Sequence, residues 1–373
     1  MKKYSVARPY IDSNDIAAVT DVLKSGHLSL GPKYSEFERK IAEYAGVKYS
    51  CAVSSGTAGL HLAVKSLGLS AGDEVITSPF SFISSSNCLL YERVKPVFVD
   101  IEELTYNMDP LLIEKAINKR TKAILIVHMF GQSAQMDEIM AIARKYKLKI
   151  IEDACESIGA TFRGKMAGTF GNVGVYAFYP NKQMTTGEGG IIVTNNKKIY
   201  QLCDSLRNQG RNNKSDWLAH IRLGYNYRLD EMSAVLGISQ LSKLDWIIRE
   251  KRKIVSLYNK YLNKIPGIIL PQIGKLRTHT WFVYCIRIIK GNRDEIMKKL
   301  SYSGIQTKSY MPVIHLQPFM KKLFGFKKGD FPVAEKIASQ TIALPFYIGL
   351  NESDVKKIVS TVRKIVNYNG KKK

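Results

Sequence analysis

The sequence predicts an α/β protein, with a large domain built on a mostly parallel β-sheet followed by a smaller C-terminal α+β domain. Three observations carry this. The chain has 373 residues, 45% of them apolar, which is enough to bury a large core and suits two domains better than one. Its first two-thirds alternate short β-branched runs with amphipathic stretches, the pattern of strands joined by crossover helices. From about Asp230 the alternation stops and a long helical stretch takes over.

The strand candidates, in order, are 74–76, 96–99, 123–127, 149–152, 174–178 and 190–194, with helical stretches such as 58–67 and 136–146 between them. Sheets of this kind gather functional residues just past the carboxyl ends of their strands. The stretch 231–262 reads as one long helix, and the boundary between the domains is expected inside it, giving a large domain of residues 1–245 and a small one of 246–373. Residues 281–289 read as a strand, 294–303 as a helix and 353–368 as a closing helix. The opening residues, to about Asp15, are expected to pack on the small domain.

Bulk properties narrow the function. No run of about 18 uncharged apolar residues is present, and the first fifteen residues are polar, so a cytoplasmic protein without membrane insertion is expected. Cys51, Cys88, Cys155, Cys203 and Cys285 are odd in number and widely spaced, which suits buried free thiols better than disulfides or a zinc site. The formal charge of +24 raises the question of nucleic acid. From Leu241 onward there are 27 Lys and Arg against 8 Asp and Glu, so +19 of it lies in the last third. Those lysines are scattered, end in Lys371-Lys372-Lys373, and come without a zinc-finger or aromatic RNA-binding signature. A solvated basic surface is the simpler reading, and no nucleic-acid partner is expected; a small polyanionic substrate would still feel the field.

The chemistry is concentrated in Phe178-Tyr179-Pro180-Asn181-Lys182-Gln183-Met184-Thr185-Thr186-Gly187-Glu188-Gly189-Gly190. A lysine just past a buried strand, close to a cationic cofactor, has a lowered pKa, and the neutral amine is the form that makes an imine. The glycines let the backbone turn tightly beneath a bound group. Alone, Lys182 reads more simply as a surface lysine before a glycine-rich turn. About thirty residues earlier, Ile150-Ile151-Glu152-Asp153-Ala154-Cys155-Glu156 ends an apolar strand in carboxylates. A buried carboxylate such as Asp153 keeps the ring nitrogen of an electron-sink cofactor protonated; a helix N-cap is its simpler role. Third, Ser54-Ser55-Gly56-Thr57-Ala58 opens a helix, where free N–H groups and the dipole can take a phosphate or where Ser simply caps. Phe80 and Phe82 supply rings on which a planar cofactor could stack.

Taken together and in this order, these segments resemble the DegT/DnrJ/EryC1/StrS sugar aminotransferases, a branch of the fold-type I enzymes that use pyridoxal 5′-phosphate (PLP). The likeness covers nearly the whole chain: Gly26-His27-Leu28-Ser29-Leu30-Gly31-Pro32 with Phe37-Glu38, Ser55-Gly56-Thr57, Val99-Asp100, Val127-His128-Met129-Phe130-Gly131-Gln132, Glu152-Asp153-Ala154, Lys182 with its Thr-Thr-Gly-Glu-Gly-Gly tail, Leu223-Gly224-Tyr225-Asn226-Tyr227-Arg228, and His315-Leu316-Gln317-Pro318. The resemblance implies a seven-stranded sheet, Lys182 as Schiff-base lysine and proton shuttle, Asp153 on the pyridine nitrogen and Phe82 stacked on the ring. It puts the phosphate at Gly56, Thr57 and Ala58, and Glu156 beside the ring hydroxyl. Asn226 would reach the cofactor phosphate of a neighbouring subunit, making the site that of a homodimer. His315 and Arg228 would approach a nucleotide-sugar.

It further implies a reaction in which an amino acid, L-glutamate by analogy, converts PLP to pyridoxamine 5′-phosphate, and a nucleotide-linked keto-sugar then takes the nitrogen. A 4-keto-6-deoxyhexose for surface polysaccharide or glycan synthesis is the favoured acceptor. A 3-keto-sugar or an amino-cyclitol ketone is the alternative, and a PLP-binding regulator without turnover the reading from another class. Two positions depart from the family pattern: Ala177 stands where a serine commonly bonds the phosphate, and Glu156 where glutamine or histidine is usual. A carboxylate at 156 would be protonated or would raise the basicity of the imine, moving the pH optimum.

Overall fold

The computed structural model describes residues 3–212, 219–263 and 265–369; the Lys371-Lys372-Lys373 tail lies outside them. The strands are β1 (Tyr49–Val53), β2 (Glu74–Thr77), β3 (Lys95–Phe98), β4 (Thr121–Val127), β5 (Lys149–Asp153), the small hairpin of β6 (Thr161–Phe162) and β7 (Lys165–Met166), then β8 (Val173–Ala177) and β9 (Gly190–Thr194). Seven of them form the main sheet in the order β1-β9-β8-β5-β4-β2-β3. All run parallel except β9, which is antiparallel to both its neighbours. β8 and β9 are buried along their whole length and β4 and β5 nearly so, as expected of a sheet covered on both faces, whose strands read as near-continuous apolar runs. The main-sheet strand the sequence did not announce is β1. Its Ser50, Cys51 and Ala52 carry little β signal, and its place is set by pairing with β9.

Helices join the strands. Gly56–Ser66 follows β1, capped by Ser55, whose Oγ accepts from the Ala58 N–H at 3.1 Å. Met136–Lys145 connects β4 to β5. The stretch 231–262 is two helices, Glu231–Ser242 and Leu244–Leu262, separated at Lys243. The reason lies in what each half buries. The first packs on the helices Ser13–Ser25 and Pro32–Ala45 against the main sheet, whereas the second turns toward the closing helix Glu352–Asn369. Lys243 secures the corner, with Nζ 2.6 Å from Asp12 and 2.9 Å from Asp15 at the start of the N-terminal helix.

The C-terminal part has its own antiparallel sheet, β10 (Ile268–Ile269), β11 (Tyr284–Ile288) and β12 (Thr341–Leu344), with the helix Arg293–Tyr302 and the closing helix packed on it. Tyr258, Tyr284, Ile296, Ile342 and Val355 lie in its core. Tyr4 is buried in the same core and donates from Oη to Asp354 at 3.0 Å. The strand expected over 281–289 is shortened at its start because Trp281 takes a left-handed conformation, φ 55°, which cannot continue a ladder. No helix among the described residues is long and apolar enough to cross a membrane.

Candidate active site

Six parallel strands end on one edge of the main sheet, and the segments at the ends of five of them help enclose a cavity of about 470 Å³. β1 delivers Ser55, Gly56 and Thr57; β2 delivers Ser81, Phe82 and Ser84; β4 ends at Val127; β5 delivers Asp153, Cys155 and Glu156; β8 delivers Ala177 and the loop bearing Tyr179, Asn181 and Lys182. From the far side come Phe282, Lys308, Tyr310 and Met311 of the C-terminal part. Lys182 and Asp153, 29 residues apart, therefore face one chamber.

Each side chain is held. On β5, neighbouring residues point to opposite faces, so Glu152 and Asp153 do different work. Glu152 is fully buried behind the sheet, 2.8 Å from His128 Nε2, and accepts from the N–H groups of Gly168 and Gly171. Asp153 faces the cavity. Its Oδ2 accepts from Ser85 Oγ at 2.7 Å, Ser85 is bonded in turn to Ser81 at 2.7 Å, and its Oδ1 accepts from the Cys155 N–H at 3.2 Å. Asp153 caps no helix, so its carboxylate is free to serve a group in the chamber. Lys182 Nζ lies 4.2 Å from the centre of the Phe282 ring and 3.6 Å from Glu156 Oε1. The other oxygen of Glu156 accepts from the Phe130 N–H at 3.0 Å. Burial pushes the Glu156 carboxyl above its ordinary range, against the pull of Lys182.

The glycines allow a close approach that side chains would block. A Cβ at Gly56 would lie 2.7 Å from the Ala177 Cβ and 3.0 Å from Cys155 Sγ, and one at Gly190 would lie 2.6 Å from the Ser55 carbonyl. The start of the Gly56–Ser66 helix can thus press against the β8 and β9 ends. Gly56 and Thr57 line the cavity. Ala58, expected to share in phosphate binding, is not among the residues that line it, and its N–H donates to Ser55 Oγ. Ser55 both caps the helix and lines the cavity. Phe82 stands at the mouth, 62% exposed. Cys155 is the one half-buried cysteine among the five and forms part of the wall, whereas the others are buried elsewhere.

The remaining expected residues lie outside this chamber. Asn226 is exposed, on a strap that pairs with Asn208. Arg228 donates to Asn208 Oδ1 at 3.0 Å. His315, expected near the substrate, is fully buried: its Nε2 is 3.0 Å from Glu335 Oε1 and its ring packs edge-on against Phe331. An aromatic cluster surrounds it because the following segment, Pro318–Phe324 and beyond, folds back on Phe98 and carries Phe326 and Phe331 with it. Sequence reasoning missed Ser81, Ser84, Ser85, Asn181, Phe282, Lys308 and Tyr310. The serines flank Phe82 within three residues and could have been found as hydroxyls beside the expected aromatic; the last three come from a hundred or more residues beyond Lys182 and carry no local signal.

Comparison with known proteins agrees with this geometry. The sequence model of the DegT/DnrJ/EryC1/StrS aminotransferase family matches residues 9–363. An uncharacterised protein of Methanocaldococcus jannaschii is 39% identical over 375 residues, covering 97% of each chain. A GDP-perosamine synthase of Caulobacter vibrioides is 34% identical, covering 98% of this chain and 99% of its own. The crystal structure of S. venezuelae DesV in complex with a ketimine intermediate superposes with a TM-score of 0.89 at 33% identity, covering 96% of this chain and 98% of that one. A lysine and an anchored carboxylate facing one chamber at the strand ends, on a fold-type I scaffold and with a family match over almost the entire length, make this chain a PLP-dependent aminotransferase of the DegT/DnrJ/EryC1/StrS family.

Proposed function

We propose that this enzyme moves an amino group from L-glutamate to a nucleotide-linked keto-sugar, a 4-keto-6-deoxyhexose on a nucleoside diphosphate, for surface polysaccharide or glycan synthesis in the cytoplasm. The observation that carries it is the shared chamber: Lys182 and Asp153 face one cavity of about 470 Å³, a size typical of ligand sites, roofed by Lys308 and Tyr310 from the C-terminal part. The GDP-perosamine synthase of C. vibrioides supports a nucleotide-linked sugar, and the basic last third suits a diphosphate.

The residues present fit PLP. Gly56 and Gly190 let the helix start sit tight against the β8 and β9 ends, and that start, with Gly56 and Thr57 lining the cavity, is suited to a phosphate. Asp153, fixed by Ser85, holds the proton on a ring nitrogen opposite it. When bound, the cofactor supplies an electron sink and carries nitrogen as its pyridoxamine form. Lys182 Nζ moves the proton between cofactor and substrate carbons. Phe282 shields that amine on one side, and Glu156 Oε1 lies 3.6 Å from it on another. With Ala177 in the place of serine, Thr57 and the helix N–H groups carry the phosphate contacts. Phe82, 62% exposed at the mouth, would be the residue to stack on the ring. Asn226 and Arg228, exposed or half-exposed and turned from their own chamber, complete the site of a second subunit in a homodimer.

The test is direct. Purified protein given PLP should absorb in the visible, and borohydride should leave a pyridoxyl mass on the peptide holding Lys182. A panel of nucleotide keto-sugars with L-glutamate, read by product mass spectrometry, should give an amino-sugar with the 4-keto-6-deoxy members. Amination of a 3-keto member alone would move the reaction to that carbon, and no product with any member would overturn the substrate class.

A further inference from the structure

The strap that presents Asn226 is gripped from behind by a polar cluster centred on Glu92. This carboxylate accepts from Lys65 Nζ at 2.9 Å, from His61 Nε2 at 2.9 Å and from Tyr225 Oη at 3.2 Å. His61 Nδ1 lies 3.2 Å from Tyr227 Oη, and the His61 ring meets Tyr225 edge-on at 4.8 Å. Tyr225 and Tyr227 stack on each other at 5.0 Å. Burial pulls His61 below its ordinary range, and the neutral ring then donates from Nε2 to Glu92 and accepts at Nδ1 from Tyr227. Burial raises the Glu92 carboxyl, but the bonds from Lys65 and His61 outweigh it and hold it low.

The backbone is tied as firmly. Tyr225 N–H donates to the Leu206 carbonyl at 2.6 Å, Tyr227 N–H to the Arg207 carbonyl at 2.9 Å, and Ser54 N–H to the Tyr227 carbonyl at 2.8 Å. Side chains alternate along extended backbone. The two tyrosines point into the cluster, and Asn226 between them points out, where it is exposed. Ionised groups packed this way add little net stability over apolar residues of the same size, so the gain from the cluster is orientation.

We propose that Glu92 is a positioning residue: with His61 and Lys65 it locks Tyr225 and Tyr227, so that Asn226 is held in the one direction from which it meets the cofactor phosphate of the neighbouring subunit. This rests on the reading of Asn226 given above. The test compares wild type, Glu92→Gln, Asn226→Ala and the double variant by PLP titration in visible absorbance and by the phosphorus resonance of the bound cofactor. Asn226→Ala should weaken PLP about tenfold, the worth of one hydrogen bond to a charged group. Glu92→Gln should weaken it by roughly threefold to tenfold and displace the phosphorus resonance in the same sense. The double variant should bind no worse than Asn226→Ala, because a residue acting through another is not additive with it.

Tyr225→Phe with Tyr227→Phe removes the hydroxyl bonds while keeping the rings, and should behave as Glu92→Gln does. A Glu92→Gln enzyme that melts lower yet binds PLP as wild type, beside an Asn226→Ala enzyme that does not, would overturn the positioning role alone. Losses that multiply in the double variant would overturn it too. An Asn226→Ala enzyme with wild-type affinity and an unmoved resonance would overturn the reading of Asn226, and this inference with it.

Discussion

Lys251 should make this protein less stable than a methionine in its place, and the deficit should vanish as the pH rises. Its ammonium is buried below the Lys182 loop, 3.2 Å from the Trp281 carbonyl, its one hydrogen-bond acceptor among the described residues, and 5.3 Å from the Phe346 ring. Burial alone pulls its pKa from 10.5 down to about 8. That difference corresponds to about 3 kcal/mol of cost for the charged form in the folded state. The sign follows from proton counting. Between about pH 8 and 10.5 the unfolded chain holds a proton that the folded one has released, so wild-type stability rises with pH across this window. Below pH 8 the cost is present in full. Lys251→Met removes it and gives up the bond to Trp281, worth about 1 kcal/mol. The variant should therefore be more stable by about 2 kcal/mol at pH 7 and slightly less stable above pH 10.5. Urea denaturation of both cofactor-free proteins from pH 7 to 10.5 measures the difference, in which all other titrations cancel. A difference that does not change with pH, or a wild type that is the more stable at pH 7, would refute the reasoning.

Three further outcomes are expected. Glu156 has its carboxyl raised above 4.5, mainly by burial, so the folded state keeps a proton that the unfolded chain gives up, and stability falls as pH rises from about 4.5 through the raised value. Glu156→Gln should abolish that fall in a pH series of melting curves and broaden the acidic limb of the pH–rate profile. Gly56→Ala should cost roughly 1–3 kcal/mol and weaken PLP, since its methyl would come within 2.7 Å of the Ala177 Cβ and the helix start must retreat; equal melting and equal cofactor affinity would contradict this close approach. Ala177→Ser should return a hydroxyl to the cavity wall and tighten PLP by up to about tenfold, measured by dialysis against known free cofactor, and an unchanged constant would show that the phosphate is already saturated.

The site is a joint product of two parts of the chain. The main sheet supplies the lysine, the carboxylate and the helix start, whereas Phe282 against Lys182, with Lys308 and Tyr310, comes from beyond residue 280. Trp281, left-handed and stacked on His279 at 3.8 Å, turns the chain so that Phe282 enters the chamber. Lys251 holds the carbonyl at that turn. Its substitution should therefore be read in stability with the cofactor absent, where packing against Lys182 does not intrude.

By itself the sequence determined the class of sheet, the order of its elements and two residues that line the same chamber. Lys182 and Asp153 are legible because each sits at the end of a short apolar run, and a parallel sheet brings all such ends to one edge. What only the tertiary structure decided are relations between distant segments. Examples are the pairing that makes Tyr49–Val53 a strand, the corner at Lys243 where a single helical period serves two cores, the retreat of His315 into a phenylalanine cluster, and the grip of Glu92 on a strap more than a hundred residues away. Local periodicity and turn chemistry report how a segment is shaped and which face it buries. Which other segment it meets depends on packing over the whole chain, and that information is written in no one stretch of it.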